Sequence, residues 1–158
     1  MAEQCTIFAP LDDFARVSCV LSGIASEVAE TRTDPGELIR IVVRSDDHTL
    51  TLNRLVRVQP GDKFSQIVLG SGTFVRGITT DNAARKQALS SFLLRTQLII
   101  GVVGEPDFDD PSGLFDDCIE QTAQLLGGLV FNGDSFLDAA GYRVLDSDGF
   151  WDPETAFQ

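Results

Sequence analysis

Histidine is almost missing from this chain of 158 residues, with His48 the only one. Serine–histidine or cysteine–histidine catalysis would have to pass through that residue, which falls in an expected turn, and no GxSxG nucleophile motif is present. Cysteine is nearly as scarce. Cys5, Cys19 and Cys118 are an odd number at wide spacing, so no disulfide framework or CxxC pair follows, and a zinc site built from several His or Cys ligands lacks its ligands. Phosphate-binding loops are missing too. Gly101-Val102-Val103-Gly104 has neither the spacing and lysine of a P-loop nor the third glycine of a dinucleotide fingerprint, and Glu105, Asp107, Asp109 and Asp110 follow it directly. No cofactor is expected from these patterns.

No apolar run approaches the ~18 residues of a membrane-spanning helix. The opening MAEQCTIFAP lacks the basic and apolar regions of a secretory signal. With few cysteines and no leader, the expected compartment is the cytoplasm.

Charge is present but unevenly placed. Residues 1–95 hold 11 basic and 11 acidic side chains, whereas residues 96–158 set 13 carboxylates against Arg143 alone, so the whole net charge of −12 belongs to the second part. Folded with the rest, that part gives one negative face, which steers cationic partners and disfavours nucleic acid and anionic membrane. The hydrophobic fraction of 43%, with 11 Phe, is far too rich for a disordered acidic chain.

Along the chain, Cys5–Phe8 suits a first strand. Phe14, Val17, Leu21, Ile24 and Val28 then recur at helical spacing and predict an amphipathic helix over 11–31, ended by Thr33-Asp34-Pro35-Gly36. Residues 38–44 and the alternating Thr49-Leu50-Thr51-Leu52 predict a hairpin. Phe64, Ile67 and Val68 favour a helix in 63–79, although Gly70-Ser71-Gly72 interrupts it and 73–78 also suits extended chain. Thr79 and Thr80 are expected to cap a helix over 81–95, with Ala84, Ala88 and Phe92 as its stripe and Leu89 and Leu93 beside it. Residues 98–103 are apolar on both alternating faces, as in a central strand. Asp110-Pro111 opens a helix over 112–126 that Gly127-Gly128 stops, and 129–131 follows as a strand, so 98–131 reads as a β–loop–α–β unit. Two turn signals, Asn132-Gly133 and Ala140-Gly141, then flank short strands before a less ordered acidic end.

These elements predict a single α+β domain over 1–158, a sandwich with a central mixed sheet and amphipathic helices packed mainly on one face. A sheet covered on both faces is the alternative.

The carboxylates are the main candidates for function. Glu105, Asp107, Asp109 and Asp110 leave the end of a strand, and Asp116, Asp117 and Glu120 occupy the next helix. Caps, helix-dipole partners and solvent account for many of them. As a group they also suit recognition of a basic protein surface. Asp109, Asp110 and a helix-borne acid would suit a hard cation, Asp107 with Glu120 an acid–base pair in a hydrolase, and a metal-assisted hydrolase would use Asp107, Asp109 or Asp110 and Glu120. Asp146-Ser147-Asp148-Gly149 places its glycine too early for an EF-hand and is expected to be a turn. Trp151, next to Phe150, is a candidate aromatic anchor for an interface.

The run Thr96–Phe108, with Leu126-Gly127-Gly128-Leu129-Val130-Phe131, Phe136-Leu137-Asp138, Gly141 and Val144-Leu145-Asp146, resembles a small family of bacterial proteins without an assigned activity. The resemblance covers residues 96–146, and some members of that family occur in toxin–immunity settings. It implies a cytoplasmic neutralising partner. The expected role is a non-enzymatic protein-binding module, of the immunity or antitoxin kind. It would present Glu105, Asp107, Asp109, Asp110, Asp116, Asp117 and Glu120, with Trp151, to a basic partner such as a toxin. The other readings are the divalent-metal hydrolase and a structural subunit that forms a homodimer.

Overall fold

Strand β5 (Leu98–Glu105) lies in the interior of an eight-stranded sheet, hydrogen-bonded on one side to β4 (His48–Leu55) and on the other to β1 (Glu3–Ala9). This is where a strand apolar on both faces belongs, since each face must meet a core. The computed structural model describes residues 2–155 and 157. Beyond β4 the sheet continues through β3 (Leu38–Ser45) to β2 (Glu27–Arg32) at one edge. Beyond β1 it runs through β6 (Leu129–Phe131) and β7 (Ser135–Leu137) to β8 (Arg143–Asp146).

Every pairing in this order is antiparallel. Strands β5 and β6 run in the same direction, but β1 stands between them, so the expected β–loop–α–β unit is split rather than formed by neighbours.

The α+β reading holds, with one sheet and four helices among the described residues. The helices, expected mainly on one face, are divided between two. Helices α1 (Phe14–Ser22) and α4 (Leu114–Leu126) pack over Ile7, Leu50, Leu52, Leu98, Ile100 and Val102. Helices α2 (Lys63–Arg76) and α3 (Ala83–Leu94) pack on the reverse face over Phe8, Ile99, Leu129 and Phe136. The alternation of neighbouring residues Phe8/Ile7 and Ile99/Ile100 between two cores shows that the sheet is sandwiched.

Several boundaries differ from the periodicity. Helix α1 buries Phe14, Val17 and Leu21 but ends at Gly23, leaving Ile24 exposed. The segment expected to prolong it, Glu27–Arg32, instead forms β2 by pairing with β3. Those ladder bonds and the β-branched Val28 and Thr31 outweigh a helical stripe of only two more apolar residues. Helix α2 passes unbroken through Gly70-Ser71-Gly72, held by Asp62, which accepts from the Ser65 amide at 2.9 Å, and by burial of Phe64, Val68 and Val75. Asn82, not Thr79 or Thr80, caps α3, and the buried stripe is Leu89 and Leu93 while Ala84 is exposed.

The acidic end, expected to be looser, turns back on β8. The Asp152 amide donates to the Arg143 carbonyl at 2.8 Å, and the Thr80 hydroxyl donates to the Gly149 carbonyl at 2.7 Å.

Candidate functional site

The acidic segment begins where β5 stops. Gly104 is enforced there, because a Cβ would lie 2.4 Å from Phe108 Cδ1 and 2.8 Å from the Asp107 carbonyl oxygen. The chain therefore doubles back across a cis Glu105–Pro106 peptide and lays Asp107 and Phe108 against the strand end. The Asp109 amide donates to Asp107 Oδ1 at 2.9 Å, and the Phe108 amide donates to Glu3 Oε2 at 3.3 Å. This return brings Asp107 within 3.8 Å of His48 Nε2, at the start of β4. The other ring nitrogen, Nδ1, is buried without a hydrogen-bond partner among the described residues, and Phe115 of α4 meets the ring edge-on at 6.3 Å.

Asp110 does not belong to the surface. It is 7% exposed and accepts from Ser45 Oγ at 3.1 Å, Ser112 Oγ at 2.9 Å and the Ser112 amide at 3.2 Å. Burial works against its charge, but the bonds from Ser112 and Ser45 and the nearby His48 prevail and hold its carboxyl below the ordinary range. Nor does it cap α4. Gly113, at φ +72°, occupies the N-cap and no side chain bonds there. Asp110 instead ties the β3–β4 turn to the approach of α4, and neither serine contacts His48 by a hydrogen bond.

Helix α4 carries the remaining acids outward. Phe115, Cys118, Thr122 and Leu126 face the core, which leaves Asp116, Asp117 and Glu120 exposed on the far side. Asp116 and Glu120, one turn apart, rim a groove of about 230 Å³ whose floor includes Ile119, Leu137 and Ala139. Among the described residues none of these three acids has a cation within 4 Å, and neither has Glu105 or Asp109. Arg143, the one cation of residues 96–158, is held by Asp146 at 3.0 Å and Asp152 at 3.3 Å.

Of the expected contact set, then, Glu105, Asp107 and Asp109 gather at the end of β5 and Asp116, Asp117 and Glu120 on α4. Asp110 is withdrawn into the fold. Trp151 lies apart, with the core on the α2/α3 side of the sheet, where its Nε1 donates to Asp81 at 3.1 Å and Arg85 stacks over the ring at 4.9 Å. Among the described residues, no three His, Cys, Asp or Glu side chains are grouped to hold a metal ion, and no helix is long and apolar enough to cross a membrane.

The Ser45–Asp110 contact carried no local signal, because the two residues sit 65 positions apart and meet only through the fold, whereas Ser112 is a near neighbour of Asp110 in the chain. Compared with family models, with curated proteins and with solved structures, the chain finds no match in any of the three.

Proposed function

We propose that the chain is a non-enzymatic, cytoplasmic protein-binding module, of the immunity or antitoxin kind, that presents α4 and the end of β5 to a basic protein. The observation that carries this reading is the groove beside α4. Asp116 and Glu120 stand there without counter-ions among the described residues, above an apolar floor that includes Ile119, Leu137 and Ala139. Such a groove suits a lysine or arginine, whose aliphatic stem packs on the floor while its charged head meets the carboxylates. Asp117, Glu105, Asp107 and Asp109 extend the negative potential around it and raise the encounter rate with a cationic partner. The only arginine of this part of the chain is already neutralised internally, so it does not weaken that field.

The test is a native pull-down from the source cell, comparing the wild type with a variant carrying Asp116→Lys, Asp117→Lys and Glu120→Lys. The expected result is a basic protein retained by the wild type and lost by the variant, with binding reduced far more than thermal stability, since Asp116 and Asp117 also favour the first turn of α4. The association rate of that basic protein falls as salt rises to ~0.15 M, where screening acts beyond roughly 8 Å. A partner that binds both proteins equally, or whose association ignores salt, defeats the proposal. Co-expression that protects a cell from the partner is required for the toxin-neutralising role.

A further inference from the structure

A wide cleft lies away from the acidic surface, on the sheet face that α2 and α3 cover only in part. It measures about 900 Å³, within the range of small-molecule sites, and its walls include Arg40, Arg54 and Lys63 but no Asp or Glu. In a chain of net charge −12, a cleft of this size without a carboxylate is a local reversal of sign. Arg54 is engaged by Asp12 and Glu37. Arg40 and Lys63 have no carboxylate within 4 Å among the described residues, and Arg40 is steadied only by Asn53, at 2.8 Å from its Nε.

The strand register lays out the floor. Arg40 is opposite Asn53, Asn53 opposite Gly101, Gly101 opposite Thr6, and Thr6 opposite Phe131. One row across five strands thus passes from a cation through small and polar residues to an aromatic ring. From Asn53 to Phe131 it spans about 14 Å at ordinary strand spacing.

Gly101 is the second observation. It does not have a positive φ, and a Cβ there would meet nothing within 4 Å, in contrast to Gly104 on the same strand. Neither backbone nor packing calls for glycine in this central strand, where it weakens the sheet. What its missing side chain leaves is open floor in the middle of the cleft.

We infer that this cleft binds a small amphipathic anion, its carboxylate, sulfonate or phosphate held by Arg40 and Lys63 and its apolar body lying over Gly101 toward Ile67 and Phe131. The inference stands independently of the acidic surface.

Anilinonaphthalene sulfonate serves as the probe, read by its fluorescence on the intact chain. Saturable binding of a single dye per chain is expected, displaced by decanoate and not by the uncharged decanol. The double variant Arg40→Gln, Lys63→Gln, which changes two exposed side chains, weakens binding about tenfold. Gly101→Leu abolishes it while the melting midpoint stays at or above that of the wild type. Dye binding that survives both variants overturns the inference, as does equal displacement by decanol. A signal that appears only when the chain self-associates in sedimentation assigns the cleft to a second copy and overturns it as well.

Discussion

Ser45 donates a hydrogen bond to Asp110 across 65 positions of the chain, Oγ to Oδ1 at 3.1 Å, and Ser112 holds the other carboxylate oxygen at 2.9 Å. An acid that sequence reasoning places on an interaction surface is thereby a tie between the β3–β4 turn and the approach to α4. Asp110→Asn keeps the shape and removes the charge, and it is expected to cost about 1–3 kcal/mol, the range for a buried polar group stripped of a charged bond. Because the folded carboxyl is held below its ordinary range, its contribution is present above the unfolded value near ~3.9 and lost as pH falls through the folded one. Urea melts of both proteins on descending pH check this. The gap between them should close in acid, and a gap that persists there would show that shape, not charge, matters.

Asp62 organises the start of α2 by accepting from three amides, those of Val58 at 2.7 Å, Ser65 at 2.9 Å and Gln59 at 3.1 Å. The amides of Val58 and Ser65 draw its pKa far below the ordinary carboxylate range. Asp62→Ala is expected to lower the melting midpoint by about 2–4 °C, with Asp62→Asn lying between it and the wild type. Calorimetry near neutral pH measures both. The advantage of Asp over Asn should disappear only in strong acid, since the stabilisation of a depressed carboxyl is lost as pH falls through its folded value.

Gly149 and Gly127 both have positive φ, +85° and +61°, but only one is crowded. A Cβ on Gly149 would lie 2.0 Å from the Thr79 carbonyl oxygen, in fixed backbone, whereas one on Gly127 would meet nothing within 4 Å. Gly127→Ala is expected to cost about 1–2 kcal/mol for the left-handed backbone alone. Gly149→Ala adds overpacking and should cost about 3 kcal/mol or more, prising the chain end from the α2–α3 connection. Equal losses in denaturant titrations would refute the contact.

Thiol chemistry separates the cysteines. Cys19 is exposed, while burial pushes the Cys5 and Cys118 thiols up to about 12, with Asp117 and Asp110 adding to the effect at Cys118. The thiolate is the reactive form, so a disulfide reagent at about pH 8 should titrate one thiol in the native protein and all three after denaturation. Rapid native reaction of a second thiol would contradict the burial.

The sequence by itself determined the interior position of β5, because six consecutive apolar residues from Leu98 to Val103, glycine included, leave no wet face for an edge. It also determined the helix that ends before Gly127-Gly128 and the concentration of charge after residue 95. Periodicity and composition report these directly, since each depends on residues close together in the chain.

Tertiary structure decided the rest. Glu27–Arg32 became a strand because β3 offered it a free edge, which no local pattern discloses. Asp110 turned inward because Ser45 was brought to it. The row from Arg40 to Phe131 exists only once five strands settle in one register, and a slip of one residue would send those side chains to the opposite face. Periodicity tells which side of an element is apolar, whereas neighbours across a sheet are set by pairing between segments far apart in sequence.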